Sequence, residues 1–331
     1  MMLKVAIVGA GGIGNIHAGI YQKHPETEVV AVCDLIKEKA DAFAEKFGCK
    51  AFYSVDKMLD SIEIDMAGVT TAGEENGSHH YEPTMKLLGA GIPVLGEKPI
   101  SNDIEEAKEM VALGKEKGVR YGINLNHRFT PAFERAKGWI DEGRLGEVNM
   151  IQMRLWINNP NESSPWFHMR ALHPHSVDIM RNLGGEVKKV QAFLKKGKDR
   201  KIWSNAQVNI LYENGVLGHL VGSYDAGGSY GLETLDVVGS DGRFVIEEAC
   251  EVLTFYPRFS NQVEVYHHLG GMQSFGDTFE SRITKWIEQN VAKVKPDEID
   301  GKAEDALKAQ TVIEAAIKSW QEDAVVDVSE I

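Results

Sequence analysis

Residues 3–14, LKVAIVGAGGIG, constrain the fold of this chain more than any other stretch. The opening apolar run has the pattern of a strand buried on both faces of a parallel sheet. It leads into G-x-G-x-x-G at Gly9, Gly11 and Gly14, and a helical pattern then covers residues 12–23. In that setting the first glycine permits a tight turn, the second admits a pyrophosphate, and the third lets helix pack on strand. Phosphate belongs at the helix start, where the amides of Gly12, Ile13 and Gly14 and the helix dipole favour negative charge. A second run, VVAVCD, ends on Asp34, about 20 residues beyond the loop, where a carboxylate accepts ribose hydroxyls and repels a 2′-phosphate. Leu35 and Ile36 follow where an arginine would serve that phosphate, and Lys37 is the nearest cation. NAD is the expected cofactor, with NADP second.

The alternation continues. Strands are predicted at 29–34, 50–52, 66–69, 93–96 and 119–124, with helices at 36–47, 79–89 and 103–117. This is the rhythm of a Rossmann α/β domain with a parallel sheet, expected over residues 1–124. After Asn124 the rhythm changes. A helix is predicted over 131–142, and strand-like alternation then dominates from VNMIQMRLWI to EVLTFY, before two helices near 276–291 and 302–321. A second, α+β domain with a large, mostly antiparallel sheet is expected over 125–331.

Composition excludes some functions. The net charge of −13 lacks the basic footprint that nucleic acid requires. No apolar run approaches the roughly 18 residues of a membrane span, and the amino terminus reads as a first strand and not an export signal. Cytoplasmic residence is the expectation. Cys33, Cys49 and Cys250 are too scattered for a disulfide framework or thiolate metal site, and are expected to be free thiols.

Two further motifs carry chemistry. GEKPI (96–100) comes at the carboxyl end of the predicted fifth strand, where open α/β sheets place ligands. NHRFTPAF (126–133) follows at the domain junction. With the glycine loop, and with a final segment of one helix and a closing strand, the chain resembles the glucose–fructose oxidoreductase, inositol dehydrogenase and MocA family over its whole length. The resemblance implies a Rossmann domain followed by an open-faced sheet domain, with the active site between them. It implies a catalytic role for Lys98 of the EKP motif, whose pKa desolvation would lower. Glu97, pointing to the opposite side, is not expected to be its direct partner. Thr70, Glu97 and Lys98 are assigned to the cofactor side. The acidic loop TTAGEENGSHH is longer than the family's usual turn and is expected to extend that rim.

The family's D-x-G-x-H-x-x-D motif, laid on ALHPHSVD, gives His175 and Asp178, but its aspartate falls on Ala171 and its glycine on His173. His175 is therefore the second expected catalytic residue, and His173 the expected substitute for part of the missing carboxylate. Pro174 suits a first helical position, which would place His175 at a helix start. Periodicity puts Val177, Met180 and Leu183 on an apolar face, and His175, Asp178 and Asn182 on one that reads as solvated. Asp178 would orient His175 or anchor the helix. Trp166 is open between stacking on a sugar and core packing, Arg170 between a substrate contact and an ion pair, and Arg128 between catalysis and structure. Asn126, with His173, Arg170, Trp166 and Asp178, completes the expected substrate contacts. Histidine spacing does not suit a metal, and none is expected.

The implied activity is hydride transfer between nicotinamide and a carbinol carbon of a sugar, sugar derivative or cyclitol, in a homodimer or homotetramer. An NAD-retaining glycoside hydrolase or lyase, and a non-catalytic dinucleotide-binding regulator, stay open as alternatives.

Overall fold

The computed structural model describes residues 2–226, 232–247, 252–267 and 275–331. The chain forms two units. One comprises Met1–Leu125 with Phe279–Lys308, the other Asn126–Thr278 with Ala309–Ile331.

The first unit is built on six parallel strands, β1 (Leu3–Val8), β2 (Thr27–Cys33), β3 (Lys50–Phe52), β4 (Met66–Val69), β5 (Val94–Gly96) and β6 (Tyr121–Ile123). Their order is β3-β2-β1-β4-β5-β6, so the chain reverses direction across the sheet between β1 and β4. Helices α1 (Gly12–Lys23), α2 (Lys37–Phe47), α3 (Val55–Ser61), α4 (Tyr81–Gly89) and α5 (Ile104–Lys117) connect them. Val5, Ala6 and Ile7 are all fully buried, as strands covered on both faces require.

The division departs from two consecutive domains meeting at residue 124, because Phe279–Lys308 belongs with the first unit. Arg282 and Trp286 of this segment are completely buried. Arg282 donates from Nε to the Ile123 carbonyl and from a terminal nitrogen to that of Gly301, both at 3.2 Å. The Ile123 amide in turn donates to Gly301, which satisfies backbone groups of the edge strand. Helical periodicity in 276–291 shows a helix but not which sheet it covers.

The second unit contains nine strands: β7 (Val148–Trp156), β8 (Val187–Lys195), β9 (Asn205–Tyr212), β10 (Leu217–Ser223), β11 (Leu232–Gly239), β12 (Gly242–Glu247), β13 (Val252–Pro257), β14 (Glu264–Tyr266) and β15 (Val326–Asp327). They are ordered β14-β13-β12-β11-β7-β10-β9-β8-β15, antiparallel except for the β7–β10 pair. Helices α6 (Pro131–Asp141) and α7 (Phe167–Gly184) pack on the sheet, while α8 (Phe275–Val291) and α9 (Ala303–Glu322) each run from one unit into the other. In β9 every second residue is buried, the alternation of a sheet covered on one face only.

Helix α7 corrects the reading of Pro174 as its first residue. It starts seven residues earlier, at Phe167, and Pro174 lies inside it. Nearly every side chain of the helix is buried, and this packing offsets the backbone bond that proline removes. His175 is consequently mid-helix, where the dipole of a helix start does not act on it.

Candidate functional site

The glycine loop lies in the first unit. Gly9 has φ +103°, and a Cβ there would lie 2.7 Å from the Thr70 backbone. A Cβ on Gly14 would meet the Gly9 carbonyl at 2.1 Å. These two positions admit only glycine. At Gly11 and Gly12, by contrast, nothing lies within 4 Å of a Cβ, so the loop leaves an open cradle at the start of α1. Its N-cap has no side-chain hydrogen bond, and the first turn carries no acidic residue. Ile13 is partly exposed beside it. Such a cradle fits a pyrophosphate.

Asp34 follows β2, with its carboxylate accepting from the amides of Ala10 and Ile36, each at 2.8 Å. Lys37 Nζ donates to Asp41 at 2.7 Å and to Tyr53 Oη at 2.8 Å. The one cation that raised the prospect of NADP is thus already held by a carboxylate and a phenol. Thr70 donates its hydroxyl to the Gly9 carbonyl at 2.8 Å, so it braces the loop from inside.

At the end of β5, Glu97 is buried between the Asn124 amide, 2.6 Å away, and His17 of α1, 2.8 Å away. Burial alone would raise its pKa, but the His17 bond, the charges of His17 and Lys98, and Asn124 hold it below the ordinary value. Lys98 is half-buried. Loss of solvent pushes its pKa down, and the Glu97 charge opposes without reversing this. A lysine so placed has a larger neutral fraction with which to accept a proton.

The Lys98–Pro99 peptide is cis. His80 Nδ1 lies 2.9 Å from the Pro99 carbonyl and its Nε2 lies 2.8 Å from that of Thr71. Burial lowers the pKa of His80. The long acidic loop therefore reaches the Lys98 turn through His80, and Glu75 within it is buried.

In the second unit, α7 and the 3-10 turn Asn126–Phe129 carry the remaining candidates. His175 is 5% exposed, and its ring stacks on that of His127, centroids 4.3 Å apart and planes within 9°. His127 Nδ1 is 2.6 Å from Glu233 Oε1 on β11, and both side chains are buried. Neither His127 as a ring partner nor Glu233 at all was singled out from sequence. Glu233 lies 106 positions beyond His127, and only strand pairing turns it toward the helix-covered face.

Asp178 is completely buried and takes a two-pronged ion pair from Arg128. It ties α7 to the 3-10 turn. On the face that periodicity presented as solvated, His175 and Asp178 are buried, and the 3-10 turn packs against the helix.

Four of the expected substrate contacts have partners inside their own unit. His173 is completely buried, with Nε2 3.2 Å from His168 Nε2 and Nδ1 3.2 Å from Ser176 Oγ. Desolvation, and secondarily the neighbouring His168, lower its pKa well below the ordinary value. Burial pushes His168 down to about 3. The pair is a neutral packing element between helix and sheet. Arg170 forms a two-pronged ion pair with Glu314 of α9, both bonds 2.8 Å. Trp166 stacks near Trp203, centroids 6.2 Å apart, within a cluster that includes Trp320. Asn126 is buried and donates to Thr278 Oγ1 at 2.5 Å.

Among the described residues, no group of three or more His, Cys, Asp or Glu side chains could hold a metal ion. No helix among them is long and apolar enough to cross a membrane. Cys33 is buried and Cys49 half-buried, both free, with pKa values pushed up to about 11 by burial. Cys250 lies outside the described residues.

Comparison with known proteins agrees with this geometry. Residues 3–125 match the model of the GFO/IDH/MocA oxidoreductase family with NAD-binding Rossmann fold, and residues 133–245 match its C-terminal domain. The chain is 24% identical to inositol 2-dehydrogenase of Rhizobium meliloti over 99% of this chain and 100% of that protein. It is 32% identical to D-glucoside 3-dehydrogenase of Escherichia coli over 46% of this chain and 43% of the relative. An inositol dehydrogenase homolog from Azotobacter vinelandii, solved with NADH and myo-inositol, shares the fold with a TM-score of 0.87 at 17% identity, covering 99% of this chain and 98% of that one. With both domain models matched in order over more than two thirds of its length, the chain belongs to the GFO/IDH/MocA family. It is an NAD-binding oxidoreductase.

Proposed function

We propose that this protein is an NAD-dependent dehydrogenase acting on a CH–OH carbon of a sugar, sugar derivative or cyclitol. The observation that carries the reading is Lys98. It is a desolvated lysine at the carboxyl end of β5, in the same unit as an open glycine cradle. The family relatives act on cyclitols and glucosides, which supports the substrate class. The Gly11–Gly14 amides would hold the pyrophosphate of NAD, and Asp34 the adenosine ribose. Bound NAD supplies the nicotinamide carbon that exchanges hydride with the substrate. Lys98 Nζ and the His175 ring are assigned to the hydroxyl proton, and Glu97, bonded to His17 and Asn124, to holding the Lys98 turn.

An NAD-coupled screen of sugars and cyclitols tests this reading. Expected is release of free NADH with at least one substrate. Tight NAD binding without turnover on a broad panel would overturn it. Turnover that retains NADH would point to transient oxidation.

Assembly into a homodimer or homotetramer, and residence in the cytoplasm, belong to the same proposal. Phe193, Leu211 and Leu217 are exposed on the side of β8, β9 and β10 opposite the core. A shallow groove there, about 440 Å³, is lined by Trp156, Phe193 and Gln207 among others. An apolar sheet face of this kind favours a second copy. A monomer mass by light scattering at micromolar concentration would remove that part. Two free cysteines support the compartment, and recovery in the cytoplasmic fraction of cells tests it.

A further inference from the structure

Helix α7 has Ala171 where the family motif would place a carboxylate, yet the surrounding unit is not without one. Glu233 on β11 is buried, reaches His127 Nδ1 at 2.6 Å, and His127 stacks flat on His175. The geometry points to Glu233 and His127 as a positioning pair for His175, a carboxylate from the sheet that acts on the proton-handling ring through the ring stacked on it. This rests on the reading of His175 as that proton-handling group.

The chemistry follows from the bond. A carboxylate only accepts, so His127 donates from Nδ1 and keeps its lone pair on Nε2. The bond fixes the plane of His127, and the stack passes that orientation to His175. When His175 takes up a proton it gains a positive charge in a site sheltered from water. The Glu233 charge, one ring away, favours that charged form. The bond between His127 Nδ1 and Glu233 is kept through this step, so no proton moves between the rings.

Other charged groups on the elements packed against α7 do not supply this effect. The 3-10 turn brings Arg128, which is matched by Asp178 of α7 itself. Strand β9 brings Tyr212, whose hydroxyl donates to the Met180 carbonyl. His168 and His173 of α7 are held neutral by burial, and Arg181 is paired with Glu186. Glu233 of β11 is the carboxylate bonded to His127, the ring stacked on His175.

The test begins with the unaltered full chain. Histidine ring nitrogens, labelled with ¹⁵N, should show His127 as the Nδ1–H tautomer. Finding the Nε2–H tautomer overturns the pair without any variant. In Glu233→Gln, which keeps an acceptor oxygen but no charge, the titration midpoint of His175 in the resting protein should fall by roughly one pH unit. In Glu233→Asp it should stay near the wild-type value. A midpoint unchanged in Glu233→Gln also overturns the pair. With the polyol identified by the coupled screen, Glu233→Gln should lower kcat by roughly 10-fold to 100-fold with KM little altered. The acid limb of its pH profile should move to lower pH, and Glu233→Asp should recover part of both. Loss of turnover in His175→Ala together with an unchanged Glu233→Gln titration sinks the pair and spares the functional reading. Retained turnover in His175→Ala sinks that reading, and with it the pair's role in catalysis.

Discussion

The glycine loop and helix α7 are stabilised in opposite ways. Around the loop, functional side chains lean on main chain: Asp34 on two amides, Thr70 on the Gly9 carbonyl, His80 on two carbonyls. Along α7 they lean on one another: Asp178 on Arg128, Arg170 on Glu314, His173 on His168, and His175 on a ring that is itself held by Glu233. A backbone partner survives any substitution nearby. A side-chain partner does not, and removing one member of a buried pair leaves the other desolvated and unmatched. The loop should therefore fail through shape, and α7 through charge.

The largest expected effect asks whether both regions serve one reaction. Lys98→Ala and His175→Ala, one from each region, should each lower kcat by roughly 10²–10⁴. NAD affinity, measured by calorimetry, should barely change. A large loss from one variant only would confine the chemistry to a single region.

The next effect is on stability. Arg128→Met strands the buried Asp178 carboxylate and should cost about 3–5 kcal/mol in urea unfolding. Asp34→Asn, whose partners are amides and whose new side chain still accepts, should cost only about 1 kcal/mol. Equal costs would erase the contrast between backbone and side-chain support. Arg170→Met should lie between, at about 2 kcal/mol, with KM unchanged because its partner is Glu314.

Acid should act on α7 before it acts on the loop. His168 and His173 are neutral when folded, with pKa values lowered by burial, His168 to about 3. Between that value and the ordinary one near 6.5 the unfolded chain binds more protons. Their contribution is fully present above about pH 6.5 and is lost as pH falls, by about 1.4 kcal/mol per pH unit for each ring. Denaturation midpoints measured from pH 7 to 4 should show this slope, and His168→Gln should flatten it. A slope unchanged in that variant would place the acid sensitivity elsewhere.

The smallest effect sharpens the account of cofactor choice. Asp34→Ala should relax the preference for NAD over NADP. Adding Asp41→Asn, which loosens the hold on Lys37, should improve the kcat/KM ratio for NADP by roughly fivefold more, the scale of an exposed ion pair. NADP binding measured directly should follow. No further gain would mean that Lys37 does not reach the 2′ position.

Short-range patterns made the first region legible. The strand, the three glycines, the helix and Asp34 lie within one stretch of chain, and each role depends on neighbours a few positions away. The α7 region was legible only as a motif match. His175 and Asp178 were singled out by it, but Pro174 misplaced the helix start, and the partners of His173, Arg170 and Trp166 were not legible. Those partners are His168, Glu314 and Trp203. For Arg170 the partner lies 144 positions away, and no local periodicity links the two.

By itself, the sequence determined a parallel dinucleotide-binding sheet, a second sheet of alternating strands, a cofactor and a lysine at a strand end. All of these follow from residue type and spacing along the chain, since backbone geometry and burial of apolar faces act over a few residues. Tertiary structure alone decided that Phe279–Lys308 returns to the first unit, that His173 is a buried neutral ring, and that Glu233 faces His127. Those outcomes depend on which strand lies beside which and on which face each helix covers. A buried charge or imidazole takes its chemistry from whatever the fold brings against it, and that neighbour is set by packing across the whole unit.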